Sequence, residues 1–540
     1  MKPILALFLL SSFAIASLRS LLRSSTRFAV LAVSLCSAPH SSFSAQPNIL
    51  LFLADDLGYA DIGANGCQDI PTPNVDSIAK NGVRFTDAYA THPVCSPSRA
   101  GLMSGMYQHR FGFEHNSGPE RYASPDFGMP REIPSLAEKL KAAGYATGMF
   151  GKWHIGFKEG LRPHERGFDY HFGFLSGARS YYPDNPREND PLIRNGKVVK
   201  GEKDYLTDAF AREAADFIER SKAQPWFVYL PFNAVHSPLE ATEKYEARFP
   251  NITEKKRKTY AGMLSALDDA VGRVMAKVRE LGQEENTLVM FYSDNGGPTF
   301  ETTSRNDPLR GYKGQMYEGG IRVPFALQWK GKIPAGQTYR EMIMGFDYHA
   351  TALAAAGVEV PKDKPNDGVN LLPYLLGEKT SAPHDFLCWR AGAQRAIRMG
   401  DWKLVQTPRE STAQLFNLKT DLGETTDLAA KEPAKFNELA ARFAEWERGT
   451  IPAKWIRQDQ RNAEEGGKLK TGSTPKGTAK AGNRVDEAFK KADANQDGKL
   501  TREEYPQKEV FDAVDANKDG FATLEEVRGY YQTRRGQGNQ

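Results

Sequence analysis

The chain is expected to fold as an α/β protein, a large mixed and mostly parallel sheet sandwiched by helices. Apolar runs of strand length alternate with helix-length amphipathic segments, the pattern of a largely parallel sheet. Each of four such runs is followed by a polar cluster, and open α/β sheets place their ligand sites beyond the carboxyl ends of the strands. With 540 residues, 40% hydrophobic and 26% charged, the chain can bury a large core and is long enough for more than one domain.

Residues 1–45 read as a signal peptide. Apolar stretches at 4–16 and 28–35 flank a basic segment from Arg19 to Arg27, and Ser/Ala/Pro-rich sequence follows up to Ala45, with cleavage expected near Ala38 or Ala45. Both stretches are short for a membrane span, so a secreted or periplasmic product is expected. Leu35 before Cys36 makes a poor lipoprotein signal. The formal charge is +4, and the segment holds Lys2, Arg19, Arg23 and Arg27 with no acid, so the remainder is balanced. Net charge therefore gives no polyanion-binding surface, and no nucleic-acid partner is expected.

The first buried-strand run is Asn48–Ala54, and Asp55-Asp56 follow it. The second, 146–150, leads to Lys152 and His154; the third, 226–232, to Asn233 and His236; the fourth, 287–292, to Asp294-Asn295. Segments 134–143, 205–222 and 255–281 have helical spacing, the last closing at Gly282 as helices often do. One Asp or Asn after a strand ordinarily caps the next turn. Four clusters at four strand ends point instead to one shared site.

Beyond residue 45 only Cys67, Cys95 and Cys388 remain, too few for a disulfide scaffold. Whether Cys67 and Cys388 pair stays open. A lone cysteine is most often a buried apolar thiol, but Cys95 opens the stretch Cys95-Ser96-Pro97-Ser98-Arg99, which continues to Gly105. Together with Asp55-Asp56-Leu57-Gly58-Tyr59, the segment Gly144 to His154, Phe232 to Pro238, Ser293 to Gly297 and Gly311-Tyr312-Lys313-Gly314, this stretch resembles the type I, formylglycine-dependent sulfatases of the alkaline phosphatase superfamily, those of the arylsulfatase and N-acetylgalactosamine-sulfatase kind. The motifs fall in the family's order over roughly residues 47–325, and Asp367-Gly368-Val369 and Trp402-Lys403-Leu404 extend the likeness to about residue 455.

The resemblance implies a sulfuric ester hydrolase in which Cys95 is oxidised to formylglycine by a formylglycine-generating or other sulfatase-maturating enzyme. Sulfate esters resist attack because their anionic oxygens repel nucleophiles, so the site must supply positive charge. Asp55, Asp56, Asp294 and Asn295 offer oxygen donors suited to a hard cation, Ca²⁺, to which the converted Cys95 would add its own oxygen. Lys152 and Lys313 would clamp the sulfate, and Arg99 would hold the hydrated aldehyde. One hydroxyl of that hydrate attacks sulfur, and the second allows sulfate to be expelled. His154 would remove the proton for that step, and His236, with Lys313, would protonate the leaving oxygen. A sulfated saccharide is the expected substrate, by analogy with exported enzymes of this type.

On this reading residues 46–380 form the catalytic domain. Residues 381–461 form a small C-terminal α+β subdomain with strand-like 396–399 and 402–405 and helical 433–446. Residues 462–483, poor in large apolar side chains, read as a flexible linker. An α-helical EF-hand pair is expected over 484–535. Its first loop runs Asp493, Asn495, Asp497, Lys499, Thr501, Glu504 and its second Asp515, Asn517, Asp519, Phe521, Thr523, Glu526, with the required glycines at Gly498 and Gly520. The loops start closer together than in ordinary pairs, a spacing that resembles dockerin-type modules and raises a docking partner. His109, Arg110, His115 and Arg179 are read as solvated surface groups available to a sugar. Two alternatives fit parts of the sequence: a formylglycine-dependent phosphodiesterase or phosphonate monoester hydrolase, and a non-catalytic calcium-dependent glycan-binding protein.

Overall fold

The computed structural model describes residues 46–118, 123–185, 190–359, 365–408, 410, 412–455 and, in part, 489–527. Residues 1–45, expected to be a signal peptide, and 462–483, expected to be a linker, lie outside the described residues. Two compact units divide near residue 471.

In the larger unit a ten-stranded sheet runs, edge to edge, Gln337–Tyr339, Val83–Phe85, Phe325–Gln328, Thr287–Ser293, Asn48–Ala54, Trp226–Pro231, Ala146–Lys152, Tyr170–Phe174, Ile193–Arg194, Lys197–Val198. Its five central strands, from Thr287–Ser293 to Tyr170–Phe174, are parallel, and antiparallel pairings toward both edges make the sheet mixed. Four of those five are the runs anticipated above, and they lie side by side. Alternate side chains of Asn48–Ala54 point to opposite faces. Leu50 and Phe52 pack with the helices Leu206–Ser221 and Lys255–Glu280, while Ile49, Leu51 and Leu53 pack toward Cys95–Ser104, Leu136–Ala142 and Gly345–Ala355. Both faces are covered, which is why these strands are apolar throughout.

The helices start and stop where local chemistry dictates. Ser135 and Glu138 form a capping box ahead of Leu136–Ala142. Glu254 accepts from the amides of Lys256 and Arg257, opening the 26-residue helix Lys255–Glu280. Cys95–Ser104 is buried over its whole length and ends at Gly105, whose φ of +78° and close approach to the His349 ring leave no room for a Cβ.

The C-terminal part of this unit is an antiparallel sheet with a helix: Leu387–Ala391, Gln394–Met399, Trp402–Gln406 and Gln414–Asn417, with Pro433–Arg448. It is joined to the large sheet by a buried polar network. Lys403 Nζ lies 2.8 Å from Glu318 Oε1 and 2.9 Å from Glu424 Oε1, the latter an ion pair without hydrogen-bond alignment. Glu424 also accepts from the Glu318 amide, and Arg322 and Arg398 close the network onto Asp87. The Trp389 indole donates to the Ala90 carbonyl at 2.8 Å. Cys67 and Cys388 are both free thiols; Cys67 Sγ donates to Asp69.

In the second unit the strands Lys499–Thr501 and Phe521–Thr523 pair antiparallel, with Leu500 opposite Ala522. Asp493 accepts from the amides of Asp497 and Gly498, and Asp515 from those of Asp519 and Gly520. Both loops thus curl around their first carboxylate. Leu500, Tyr505, Phe511 and Val514 belong to a small core of the unit's own.

Candidate active site

Four neighbouring strand ends and the start of a helix converge on Cys95. The thiol lies 3.4 Å from Asp55 Oδ1 and 3.9 Å from Asp56 Oδ1. Cys95 is the first residue of Cys95–Ser104, whose N-cap, Val94, supplies no side-chain cap. A helix N-terminus carries partial positive charge and amides that favour an anion.

Lys152 closes its strand with Nζ 2.6 Å from Asp55 Oδ2, both side chains wholly buried. Lys313 Nζ sits 2.7 Å from Asp56 Oδ1. Arg99 donates to Asp294 Oδ2 through Nε at 2.9 Å and to the Lys152 carbonyl through Nη1 at 3.0 Å. Three carboxylates therefore face three cations. Burial alone would raise the Asp55 carboxyl, but Lys152, His236 and Arg99 outweigh it and hold Asp55 below the usual range. Asp56 is lowered in the same way, burial being outweighed by Lys313 and His236. Burial pushes the Cys95 thiol well up, so the sulfur keeps its proton.

The two histidines differ. His154 is buried, at a left-handed φ of +60°, with Nε2 3.0 Å from the Ser117 carbonyl. A carbonyl only accepts, so Nε2 carries the proton and Nδ1 keeps its lone pair. Burial, then Lys152 and Arg99, hold the ring well below its ordinary pKa and therefore neutral. His236 is partly exposed, its Nδ1 2.5 Å from the Ser237 carbonyl and its Nε2 3.5 Å from Asp56 Oδ2.

Asp55, Asp56, Cys95 and His236 each present a ligand atom, all within 4.8 Å of one another. Asp294 is turned toward Arg99 through Oδ2, while its Oδ1 accepts from the Asp56 amide at 3.2 Å. Asn295 donates Nδ2 to Asp56 Oδ1 at 2.7 Å, which leaves its own Oδ1 buried with no hydrogen-bond partner. An orphaned amide oxygen beside two carboxylates is a donor set that fits a hard cation.

The residues expected from the strand ends are thus brought together. Asn116 and Ser117 carry no such sequence signal, yet they brace the site. Asn116 Oδ1 accepts from the Ser96 amide, and Ser96 and Ser117 hydroxyls both donate to the His154 carbonyl. The solvated reading of His109 and Arg179 is corrected by their burial. His109 Nε2 meets the Arg390 carbonyl at 2.8 Å, and Arg179 donates to Ser180 and Asp190 carbonyls. Arg110 is half-buried in a bidentate pair with Asp367.

Family models match three regions: "Sulfatase" over residues 47–358, "N-sulphoglucosamine sulphohydrolase, C-terminal" over 312–446, and "EF hand" over 485–505 and 507–528. The N-acetylgalactosamine-6-sulfatase of Sus scrofa is 35% identical over 378 residues, covering 66% of this chain and 71% of its own. Arylsulfatase J of Mus musculus is 29% identical over 481 residues, 78% of this chain and 79% of its own. Among solved structures, that of Ps i-CgsB in complex with k-i-k-neocarrahexaose is 36% identical with a TM-score of 0.73, over 78% of this chain and 96% of that one. With the sulfatase model covering more than half of its length, on an alkaline phosphatase-like sheet, the chain belongs to the sulfatase family and is a sulfuric ester hydrolase.

Proposed function

We propose that this protein is an exported, calcium-dependent sulfatase of sulfated carbohydrates that works through formylglycine formed at Cys95 by a sulfatase-maturating enzyme. The observation that carries this reading is the placement of the Cys95 side chain at the head of a buried helix, against Asp55 and Asp56 and among Lys152, Lys313 and Arg99. A thiol kept protonated by burial is a poor nucleophile and a poor metal ligand. Its position has chemical purpose once the sulfur is replaced by an aldehyde hydrate, which supplies a hydroxyl nucleophile and an oxygen donor.

Asp55, Asp56, Asp294 and Asn295 would hold Ca²⁺, whose chemistry here is to neutralise sulfate oxygen charge. Paired three against three, the buried side chains bring little net charge of their own, so a divalent cation leaves the surplus that a sulfate monoanion requires. Lys152 and Lys313 orient the sulfate oxygens, and Arg99 holds the Cys95 side chain. His154, neutral with Nδ1 free, can accept a proton, and partly exposed His236 lies where a leaving oxygen can be protonated. The relatives named for N-acetylgalactosamine 6-sulfate and the neocarrahexaose complex support a saccharide alcohol. The domain limits 46–380, 381–461, 462–483 and 484–535 and the calcium-binding role of both EF loops belong to the same proposal.

The test has three parts. Peptide mass spectrometry should find Cys95 converted in enzyme from a host with maturation activity. Sulfate release should follow from p-nitrophenyl sulfate and from a panel comprising N-acetylgalactosamine 6-sulfate, chondroitin 6-sulfate tetrasaccharide and carrageenan hexasaccharides. An aryl phosphodiester should be turned over more slowly than the aryl sulfate; strong preference for the diester would overturn the reading. Unconverted Cys95 with no desulfation would favour a glycan-binding role.

A further inference from the structure

Beside the Cys95 cluster lies a cavity of about 670 Å³ lined by Phe300, Arg305, Arg310, Tyr312, Gln315 and Gln394 among others. That volume is within the roughly 300–1,000 Å³ of small-ligand sites. None of these residues is among those assigned to the sulfate. Phe300 is 78% exposed, yet its ring is set edge-on to Tyr312 with centroids 5.2 Å apart and planes at 88°. A lone exposed phenylalanine needs no explanation, but one paired with a tyrosine on a polar-lined cavity offers a mixed surface. Aromatic carbon can meet the apolar C–H face of a pyranose, while guanidinium and amide groups reach its hydroxyls.

Part of the cavity wall is the loop that carries Lys313. Tyr312 and Gly314 flank Lys313, and the Gly314 amide donates at 2.9 Å to the Pro93 carbonyl, two residues before Cys95. Gln394 Nε2 donates to the Gly314 carbonyl at 2.8 Å, fixing that loop from the small subdomain. Phe300 belongs to the short helix Thr299–Thr302, whose Glu301 accepts a hydrogen bond from Ser237, the residue after His236. Lys256 Nζ holds the Phe300 carbonyl at 3.0 Å from the other side. The cavity is therefore walled in part by the loop bearing Lys313, and the helix that carries Phe300 is tied to the residue after His236; these are the two groups read above as serving the leaving oxygen. The alcohol released from sulfur extends toward that side.

We propose that this cavity is a subsite for a sugar ring neighbouring the sulfated one, on the leaving-alcohol side, and that Phe300 is its stacking residue. The enzyme then prefers a sulfated oligosaccharide to the corresponding monosaccharide. Arg310 is held with its guanidinium 3.9 Å from the Tyr317 ring centroid and donates to the Glu424 carbonyl, so it presents a fixed edge. Asp307 also lines the cavity, so its lining is of mixed charge and suits hydroxyls over a second anion. This inference rests on the saccharide reading given above, and the test separates the two.

Wild-type enzyme and Phe300→Ala are compared on p-nitrophenyl sulfate, on N-acetylgalactosamine 6-sulfate, and on the tetrasaccharide and hexasaccharides of the panel. Phe300→Ala should leave p-nitrophenyl sulfate turnover within twofold and lower kcat/KM on oligosaccharide by up to about tenfold through KM, the scale of one aromatic contact. Phe300→Tyr should restore it. Equal loss on every substrate, no loss on oligosaccharide, or turnover of p-nitrophenyl sulfate with none of the oligosaccharides accepted would each overturn the subsite while leaving a sulfatase. Wild-type enzyme that releases sulfate from nothing would overturn the underlying reading, and the subsite with it.

Discussion

At Cys95 the sulfur keeps its proton because burial penalises the thiolate, and the cations nearby are already engaged by Asp55, Asp56 and Asp294. Cys95→Ala should therefore remove turnover entirely while shifting the melting temperature little, since the change deletes one small neutral group; retained sulfate release would dismiss the residue as nucleophile precursor. Lys152 is different, because removing it leaves the Asp55 carboxylate buried without its closest cation. Lys152→Ala should cost at least about 10²–10³ in kcat and about 3–5 kcal/mol of stability, measured by sulfate release and by thermal unfolding. Lys152→Arg should recover more stability than activity, because the guanidinium keeps the charge and not the point geometry. The side chains that converge on Cys95 were legible in sequence since Asp, Lys and His after an apolar run are conspicuous. Asn116 and Ser117 were not, because their task is to satisfy the Ser96 amide and the His154 carbonyl and ring, and main-chain bonds of that kind leave no pattern. His109 and Arg179 misled for the opposite reason: polar side chains far apart in the chain look solvated until their carbonyl partners are seen.

Among the elements, four of the central strands and the helices Leu136–Ala142, Leu206–Ser221, Lys255–Glu280 and Pro433–Arg448 were legible to within a residue or two, since apolar runs between turn residues set them, whereas short outer strands such as Val83–Phe85 and Gln337–Tyr339 were not. The helix Cys95–Ser104 was not, because a helix buried on every side has no polar face to give a 3.6-residue period. The join between the small antiparallel sheet and the large one was equally hidden, and it carries a pH signature. Burial and neighbouring Glu318 raise Glu424 to about 7, against the partial relief from Lys403. Glu318 moves the other way, to about 2, as Lys403, Arg322 and Arg398 overcome its burial. For Glu424 the folded pKa lies above the unfolded one, so its contribution is full below about 4.5 and is lost as pH rises through 7; for Glu318 it is present above about 4.5 and lost as pH falls toward 2. Stability owed to this pair is therefore greatest near pH 5. The melting temperature should fall between pH 5 and 8, and Glu424→Gln should flatten that fall, by on the order of 1–3 kcal/mol at pH 8. Parallel curves for the two proteins would remove Glu424 from the explanation.

At the scale of the whole molecule, two units of unequal size carry cores of their own. The small core from Phe489 to Val527 is drawn entirely from the second unit, and its loops close on Asp493 and Asp515 through their own amides. On the calcium-binding role proposed for both loops, folding of such a unit is coupled to its cations, since the carboxylates of each loop repel one another until neutralised. The exchange Glu504→Gln with Glu526→Gln should lower the calcium stoichiometry by two in a titration of the full chain and leave aryl sulfate turnover unchanged. A fall in turnover would show that these loops support the catalytic unit. Deleting residues 462–540 tests the same separation from the other direction. The ten-stranded sheet, the Cys95 cluster and the Glu318–Lys403–Glu424 join are complete without that segment. The truncated chain should therefore hydrolyse p-nitrophenyl sulfate within about twofold of the full chain and melt at the same temperature, as independent domains do. A loss confined to long or surface-bound polysaccharide would place the EF-hand pair in substrate or partner capture, whereas a loss on p-nitrophenyl sulfate itself would mean that the catalytic unit relies on the segment to hold its fold.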